Sequence, residues 1–273
     1  MTVNSYLKNI ASHAVVKDAE RDSIKRSIST ISNRLDNYFG FQLAKHFEFG
    51  SSSRGTMLPR KMDKNSDVDY MVVFQDDSYR PQTYLDKLRR FATDKYYTSE
   101  IKQSTPTIVL SLNHVHFELV PALENFTWTG EYKIPDKASS YYDWTDTNPT
   151  EIQDKLHKAN KEHNYLVKPL VRILKYWNAV NNYPYGTYEL ENEIIDNITV
   201  DHYFLFMNSR ENIEDYFFDV VSNLSNSIFW PKYKREKIAR LKQLSKEAYN
   251  YKNSYLDEEN AVKAIKKLLP PMN

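Results

Sequence analysis

The chain has 273 residues, 41% of them hydrophobic, with 37 Lys and Arg against 36 Asp and Glu for a formal net charge of +1, and no cysteine. That is enough apolar content for one large domain or two lobes, and too little net charge to draw the protein to nucleic acid by a global field. The lack of thiols excludes disulfide staples, thiolate nucleophiles and cysteine-based zinc sites, and the seven histidines are scattered with no His-x-x-x-His pairing, which makes a zinc site on histidine alone unfavoured.

In chain order, Ile24, Ile28, Ile31, Leu35 and Tyr38 recur at helical spacing and Gly40 is a suitable stop, which predicts a long first helix beginning near Thr2 or Asn4. The small-residue segment from Gly50 and Ser51 to Gly55 follows. A glycine turn that opens a helix presents backbone N–H groups, a ready arrangement for phosphate. Sixteen positions beyond Ser51, Asp67 and Asp69 stand two apart and lead into the apolar run Met71–Phe74. In an extended strand both carboxylates project from one face while Val68 faces the other. Side by side they repel, and a pair of Mg²⁺ ions about 3.5–4 Å apart is the usual remedy in nucleotidyl transfer. An Asp-x-Asp is also common in turns and on solvated strands, so the pair alone does not decide the matter.

A charged helix is expected near Tyr84–Tyr96, then two β stretches around Asn113 and His114. Glu118 sits in the second among Phe117, Leu119 and Val120, where an unpaired carboxylate is costly. It either joins a metal site or lies on the solvent face that it shares with His116 and Val120. Trp128–Pro149, rich in Asp, Ser, Thr and Pro, reads as a surface loop, and a lobe boundary is placed near residue 150. Helical patterns follow at Pro169–Val180, Asp201–Arg210, Ile213–Ser225, Lys234–Tyr249 and Glu258–Leu269. Between Lys232 and Lys246 the chain is strongly basic. It reads better as a solvated helix face, with Ile238, Leu241 and Leu244 inward, than as a stripe for polyanions. No apolar stretch approaches the roughly 20 residues of a membrane span, and the first residues lack the apolar region of a signal peptide, so a soluble cytoplasmic protein with no membrane partner is expected.

Gly50-Ser51, Asp67-x-Asp69 at a strand start and Glu118 in Phe-Glu-Leu-Val-Pro-Ala together resemble the nucleotidyltransferase superfamily that includes polymerase β. Within it the chain is most similar to the bacterial cGAS/DncV-like nucleotidyltransferases. Leu170–Asn178 resembles the helix in which that family carries a triphosphate-contacting lysine, here Lys175, and Thr187–Glu191 resembles its Ser-Tyr-x-x-Glu segment. The resemblance implies an α+β, two-lobed polymerase β-like fold. Residues 1–150 would form the catalytic lobe, with a mixed sheet and the long N-terminal helix, and residues 151–273 a helical lobe completing the nucleotide pocket.

By the same resemblance Asp67, Asp69 and Glu118 are the catalytic and metal-binding residues, holding two Mg²⁺ or Mn²⁺ ions. Gly50, Ser51, Lys175 and Thr187 hold the triphosphate, and Tyr188 stacks on a base. Asn160, Asn164 and Tyr188 are candidates for base choice, each open to an ordinary packing or surface role, with Asn164 also placed to cap a helix. Two residues depart from the common pattern: Glu118 stands where many members have Asp, and Thr187 stands where Ser is commoner, though Thr keeps the hydroxyl.

The implied activity is condensation of NTPs, ATP and a second NTP, into a cyclic oligonucleotide, expected to be a cyclic dinucleotide, with pyrophosphate released. The implied setting is bacterial anti-phage signalling, with a separate effector that responds to the product and no requirement for nucleic acid. A transferase making a linear or substrate-linked product, or an inactive nucleotide-binding module, would keep Asp67 and Asp69 and remain as alternatives.

Overall fold

A computed structural model describes residues 1–104, 106–127, 130–139, 142–199 and 211–272. The elements in order are α1 (Val3–His13), α2 (Asp18–Phe39), β1 (Leu43–Phe49), α3 (Gly50–Arg54), β2 (Asp67–Phe74), α4 (Pro81–Lys95), β3 (Glu100–Ser104), β4 (Thr107–Ser111), β5 (His116–Thr127), β6 (Gly130–Pro135), β7 (Trp144–Thr147), α5 (Pro149–Glu162), α6 (Val167–Val180), α7 (Thr187–Thr199), α8 (Ile213–Asn223), α9 (Lys232–Asn253) and α10 (Glu258–Leu268). The chain divides into two compact units. One comprises Lys17–Met57 and Asn65–Gln153, the other Met1–Val16, Leu58–Lys64 and Asp154–Asn273. One boundary between the units falls at Gln153/Asp154, and the first helix and Leu58–Lys64 group with the helical residues.

The first unit is built on a mixed sheet in the order β1-β2-β5-β4-β3, extended by β6 on β5 and β7 on β6. β2 and β5 run parallel, and the other pairings are antiparallel. The residues of β2 from Tyr70 to Phe74 are buried on both faces, as expected of a central strand. On one face Phe74 meets Phe39 of α2 and Tyr84 of α4 edge-on or tilted, at ring-centroid distances of 5.4 and 5.0 Å. On the other, Met71, Val73, Ala122 and Tyr132 form a core cluster with Phe47, Phe49 and Ile134. α4 opens with Pro81 in its first turn, where the missing N–H is no loss. The stretch expected to be a surface loop contributes β6 and β7. Its Asp, Ser, Thr and Pro content suggests turns, yet Tyr132–Pro135 pairs in register with Trp144–Thr147.

α1 and α2 replace the single long N-terminal helix that the sequence suggests. α1 begins with a capping box in which the Thr2 and Ser5 side chains each accept from the other's backbone N–H, and it ends at Ala14. α2 starts at Asp18 with Asp18 and Glu20 in its first turn, favourable beside the positive helix end. Its buried stripe is Ile24, Ile31, Leu35 and Phe39.

In the second unit α1 packs on α6, α8 and α10. Val3 donates its N–H to Glu258 at 3.0 Å, and the Tyr6 hydroxyl donates to the Leu269 carbonyl at 2.6 Å. Burial pushes the Tyr6 phenol up to about 12. α6 buries Leu170, Ile173, Leu174 and Trp177, the last two as core residues as their apolar character suggests. The helix expected at Asp201–Arg210 lies outside the described residues. α5 and α7 have no counterpart among the helices expected from the sequence, although Ile152, Leu156 and Ala159 in α5, and Leu190, Ile194 and Ile198 in α7, carry helical spacing and are buried.

One buried side chain ties this unit's loops to its helices. Asn178 is 1% exposed. Its amide donates to the Tyr185 carbonyl at 2.9 Å and its Oδ1 accepts from the Tyr185 N–H at 3.0 Å, so it closes the turn between α6 and α7 as a strand partner would. Truncation leaves a buried donor and a buried acceptor unpaired. Asn178→Ala is therefore expected to cost roughly 2–4 kcal/mol of stability, read as a lower urea midpoint with an unchanged denaturant slope.

Candidate active site

The first unit assembles the carboxylates on one face of β2 and β5. Asp67 and Asp69 alternate with fully buried Val68, and in the parallel ladder Asp69 pairs with Glu118 and Asp67 with His116. Registered partners in a sheet share a face, so Asp67, Asp69 and Glu118 stand on the same side. The opposite side is apolar: Val68 pairs with Phe117 and Tyr70 with Leu119, all buried. Glu118 is in hydrogen-bonding contact with Thr107 and Asp67. Burial pushes its carboxyl above the usual range, opposed by the Thr107 hydroxyl, by the charge of Lys137 and by the Asp67 contact. Thr107 is itself 3% exposed, and its hydroxyl stands 2.9 Å from the Ser104 carbonyl at the start of β4, so its one proton serves either that carbonyl or Glu118. The sequence gives no sign of this role.

Gly50 follows β1 and opens α3 at a φ of +74°. The constraint is also spatial. A Cβ at this position would run into the Asp69 carboxylate, 2.6 Å from its Cγ and 2.9 Å from its Cβ. The Ser51 carbonyl accepts from the N–H groups of Thr56 and Met57 at 2.9 and 3.0 Å, so the short helix is closed at its far end. The turn is thus built against the second Asp and leaves that carboxylate no room on the Gly50 side.

Among the described residues no three His, Asp or Glu side chains converge on a common point as they stand. The three carboxylates form a row, two of them in contact, and like charges so placed are relieved by a proton or a cation. Their chemistry, all hard oxygen donors, fits Mg²⁺ or Mn²⁺.

Lys175, Thr187, Tyr188, Asn160 and Asn164 belong to the other unit. Lys175 is not a solvated helix residue. It is 5% exposed, and its Nζ donates at 3.1 Å to Oε1 of Glu191, which is 0% exposed. Glu191 thus has a definite partner that the motif alone does not reveal. Thr187 and Tyr188 form the exposed first turn of α7, with Tyr188 59% exposed. Asn164 is exposed and adopts a φ of +51°, terminating the turn after α5. Capping falls instead to Asn160, which is buried and whose Oδ1 accepts from the Lys168 N–H at 3.0 Å at the start of α6.

The basic run of α9 is largely a solvated face, with Lys232, Lys237, Arg240 and Lys246 exposed and Lys234 buried. Ile238, Leu241 and Leu244 are buried as expected, Lys242 donates to the Ser222 carbonyl at 3.0 Å, and Lys237 to Asn181 at 3.3 Å. Burial lowers the Lys242 ammonium below its usual range.

Residues 1–160 match the family described as Second Messenger Oligonucleotide or Dinucleotide Synthetase domain, more than half of the chain. The chain belongs to this family. The synthetase is 24% identical over 277 aligned positions to the protein named Probable cyclic nucleotide synthase of Bacillus cereus strain VD146, covering 85% of this chain and 81% of that one. Its fold is similar to that of CdnC of Escherichia coli MS115-1 with ATP, at a TM-score of 0.71 and 14% identity over 98% of both chains. It is also similar to DncV cyclic AMP-GMP synthase of Vibrio cholerae in complex with the linear intermediate 5′ pppA(3′,5′)pG, at a TM-score of 0.77 and 9% identity, covering 99% of this chain and 96% of that one. A third similar structure is CdnG of Bradyrhizobium diazoefficiens with GTP, at a TM-score of 0.68 and 10% identity over 96% of each chain. The synthetase is a nucleotidyltransferase of α+β fold, as its carboxylate motif suggests.

Two outcomes follow from the geometry. Gly50→Ala forces both a disfavoured φ and displacement of Asp69, and a shift of this kind at reacting groups is worth on the order of 100-fold in rate. Turnover of this variant is expected to fall by that order while its far-ultraviolet circular dichroism stays that of the parent. Glu191→Ala leaves the Lys175 cation buried without its counter-charge, at a cost of about 3–5 kcal/mol measured by urea unfolding, and Glu191→Gln is expected to cost less because it keeps a hydrogen-bond acceptor.

Proposed function

We propose that this synthetase condenses ATP and a second NTP into a cyclic oligonucleotide, a cyclic dinucleotide in the simplest case, releasing pyrophosphate. The observation that carries this reading is the alignment of Glu118 with Asp69 across the parallel ladder, with Asp67 two residues back on the same face. Family membership supports cyclic oligonucleotide synthesis, and the name of the Bacillus cereus relative points the same way.

Asp67, Asp69 and Glu118 would hold two divalent cations, Mg²⁺ or Mn²⁺, whose role when bound is to lower the pKa of the attacking ribose hydroxyl and to neutralise the triphosphate. The chain's own residues do the rest. The buried side chains behind β2 and β5 keep the carboxylate face from rotating. Glu118 would be the third oxygen ligand beside Asp67 and Asp69, and the ribose hydroxyl loses its proton to water as the P–O bond to that oxygen forms. Gly50 and Ser51 offer backbone N–H groups to the triphosphate and Thr187 a hydroxyl, while Lys175, enclosed against Glu191, reaches the leaving pyrophosphate only by giving up that carboxylate. Tyr188 presents an exposed ring to a base, and Asn164 a side-chain amide. Thr107 orients Glu118.

In the cell we place the reaction in bacterial anti-phage signalling, with a separate effector that binds the product. No helix among the described residues is long and apolar enough to cross a membrane, in keeping with a cytoplasmic site of synthesis.

Incubation with the four NTPs and Mg²⁺ or Mn²⁺, phosphatase treatment and mass spectrometry is expected to show a phosphatase-resistant cyclic product that is absent with Asp67→Asn, Asp69→Asn. Free Mn²⁺, followed by its electron paramagnetic resonance signal, is expected to be depleted by the parent and not by that double variant. Linear products would move the protein to the nucleotide-adding transferases, and cation binding without turnover would leave a nucleotide-binding module.

A further inference from the structure

Lys234 lies in the first turn of α9 within the basic run, yet it turns inward and is 8% exposed. Its ammonium stands 3.6 Å from the Trp230 ring centroid and 4.6 Å from that of Tyr185. It also donates to both carboxylate oxygens of Glu189, at 2.9 and 3.1 Å. Glu189 in turn accepts the Gly186 N–H on Oε2 at 3.2 Å. Glu189 is the third residue of α7 and Gly186 the residue before its start, so this is the backward half of a capping box. Gly186 has no side chain to supply the forward half. The first turn of α7, which displays Thr187 and Tyr188, therefore depends on one carboxylate for its cap, and that carboxylate is gripped from α9.

The grip is well made for the purpose. Ring faces attract a cation more strongly once it is desolvated, and a carboxylate bonded through both oxygens has its rotation fixed. Tyr185, beneath the ammonium, is itself locked by Asn178 at its backbone and by its hydroxyl, which donates to the Ser225 carbonyl at 2.6 Å. A residue that needed solvent-facing charge for a polyanion would not be enclosed in this way.

We propose that Lys234, acting through Glu189, is a positioning residue for nucleotide binding: it sets the α7 turn that presents the Thr187 hydroxyl and the Tyr188 ring. The inference rests on the reading that Thr187 and Tyr188 contact the NTP. Neither Lys234 nor Glu189 touches the reacting atoms. Loss of the clamp thus weakens substrate binding while the carboxylate chemistry persists.

The test is steady-state pyrophosphate release from an equimolar mixture of the four NTPs with Mg²⁺, at a temperature below the unfolding midpoint of every variant. Lys234→Met keeps the buried stem and removes the charge. It is expected to raise the apparent KM about fivefold or more and to leave kcat within about twofold. Glu189→Ala is expected to do the same, the double variant to be no worse than the poorer single one, and Lys234→Arg to recover most of the loss. Should either single variant not fold, the double variant Lys234→Met, Glu189→Ala carries the test, since removing both partners leaves no buried charge uncompensated. An unchanged KM in Glu189→Ala or Lys234→Met, with a raised KM in Thr187→Ala or Tyr188→Ala, overturns the clamp and spares the underlying reading. Unchanged KM in both Thr187→Ala and Tyr188→Ala overturns that reading and the clamp with it. Equal falls in kcat and in the unfolding midpoint at constant KM would make Lys234 a structural residue and nothing more.

Discussion

The parallel pairing of β2 with β5 is the constraint on which the carboxylate face depends. Side chains alternate along a strand with period two, so a slip of one residue in this ladder would exchange Glu118 for Phe117 on the acidic face and drive a carboxylate into the layer with Val68 and Leu119. Burying an unpaired carboxylate there costs several kcal/mol, and exposing Phe117 forfeits another one to three. The apolar set on the far side of the sheet therefore fixes the register, and the register places the acids. Parallel neighbours cannot be joined by a hairpin, and here the chain passes through α4, β3 and β4 before β5 returns beside β2. The antiparallel β4 then supplies Thr107 to Glu118, so the excursion that makes the pairing possible also orients one of the three acids.

Gly50 is the second constraint on that face, and its effect is local. The parallel ladder determines which side the acids occupy; the turn after β1 determines how far Asp69 can swing. β1 pairs with β2 such that Phe49 stands opposite Asp69, and the next residue must turn away at once into α3. Any side chain at that turn would occupy the space of the carboxylate. A glycine is needed both for the positive φ and for the missing Cβ, whereas at Gly55, which also has a positive φ, a Cβ would meet nothing within 4 Å.

Much of this was legible in the sequence because it depends on short-range alternation. Asp67-Val68-Asp69, the apolar run after it and the strand around Glu118 each follow a period of two, and their sidedness transfers directly to the sheet. The stripes of α2, α4, α6, α8, α9 and α10 follow a period of 3.6 and were similarly readable. The interruption at Ala14–Lys17 was not, because the polar residues that end α1 are equally compatible with one continuous exposed helix face. β6 and β7 escaped because a four-residue strand of Trp, Thr and Asp has almost no local signature, and its identity comes from its partner. The partners of charged residues were invisible for a related reason. Lys175 reads as a triphosphate-contacting lysine by resemblance and Lys234 as part of a solvated helix face, and only contacts across sixteen and forty-five residues of sequence reveal that each is enclosed against a glutamate.

Those two lysines show how the helical unit treats charge. A buried ion pair contributes little net stability, because desolvation offsets most of the attraction, but it fixes geometry strongly, since moving either partner leaves a charge uncompensated in a poor dielectric. Lys175 is enclosed by α6 with Glu191 of α7, and Lys234 of α9 holds Glu189 two residues earlier on α7. α7 is therefore held at its first two turns by cations from two different helices. Hydrophobic packing of Leu190, Ile194 and Ile198 would seat α7 but would leave it free to slide or roll by small amounts at little cost. Bonds of defined length and direction remove that freedom at the end that carries Thr187 and Tyr188. The ion pairs at α7 are thus best understood as alignment elements, with the bulk of the stability supplied by the apolar stripe behind them.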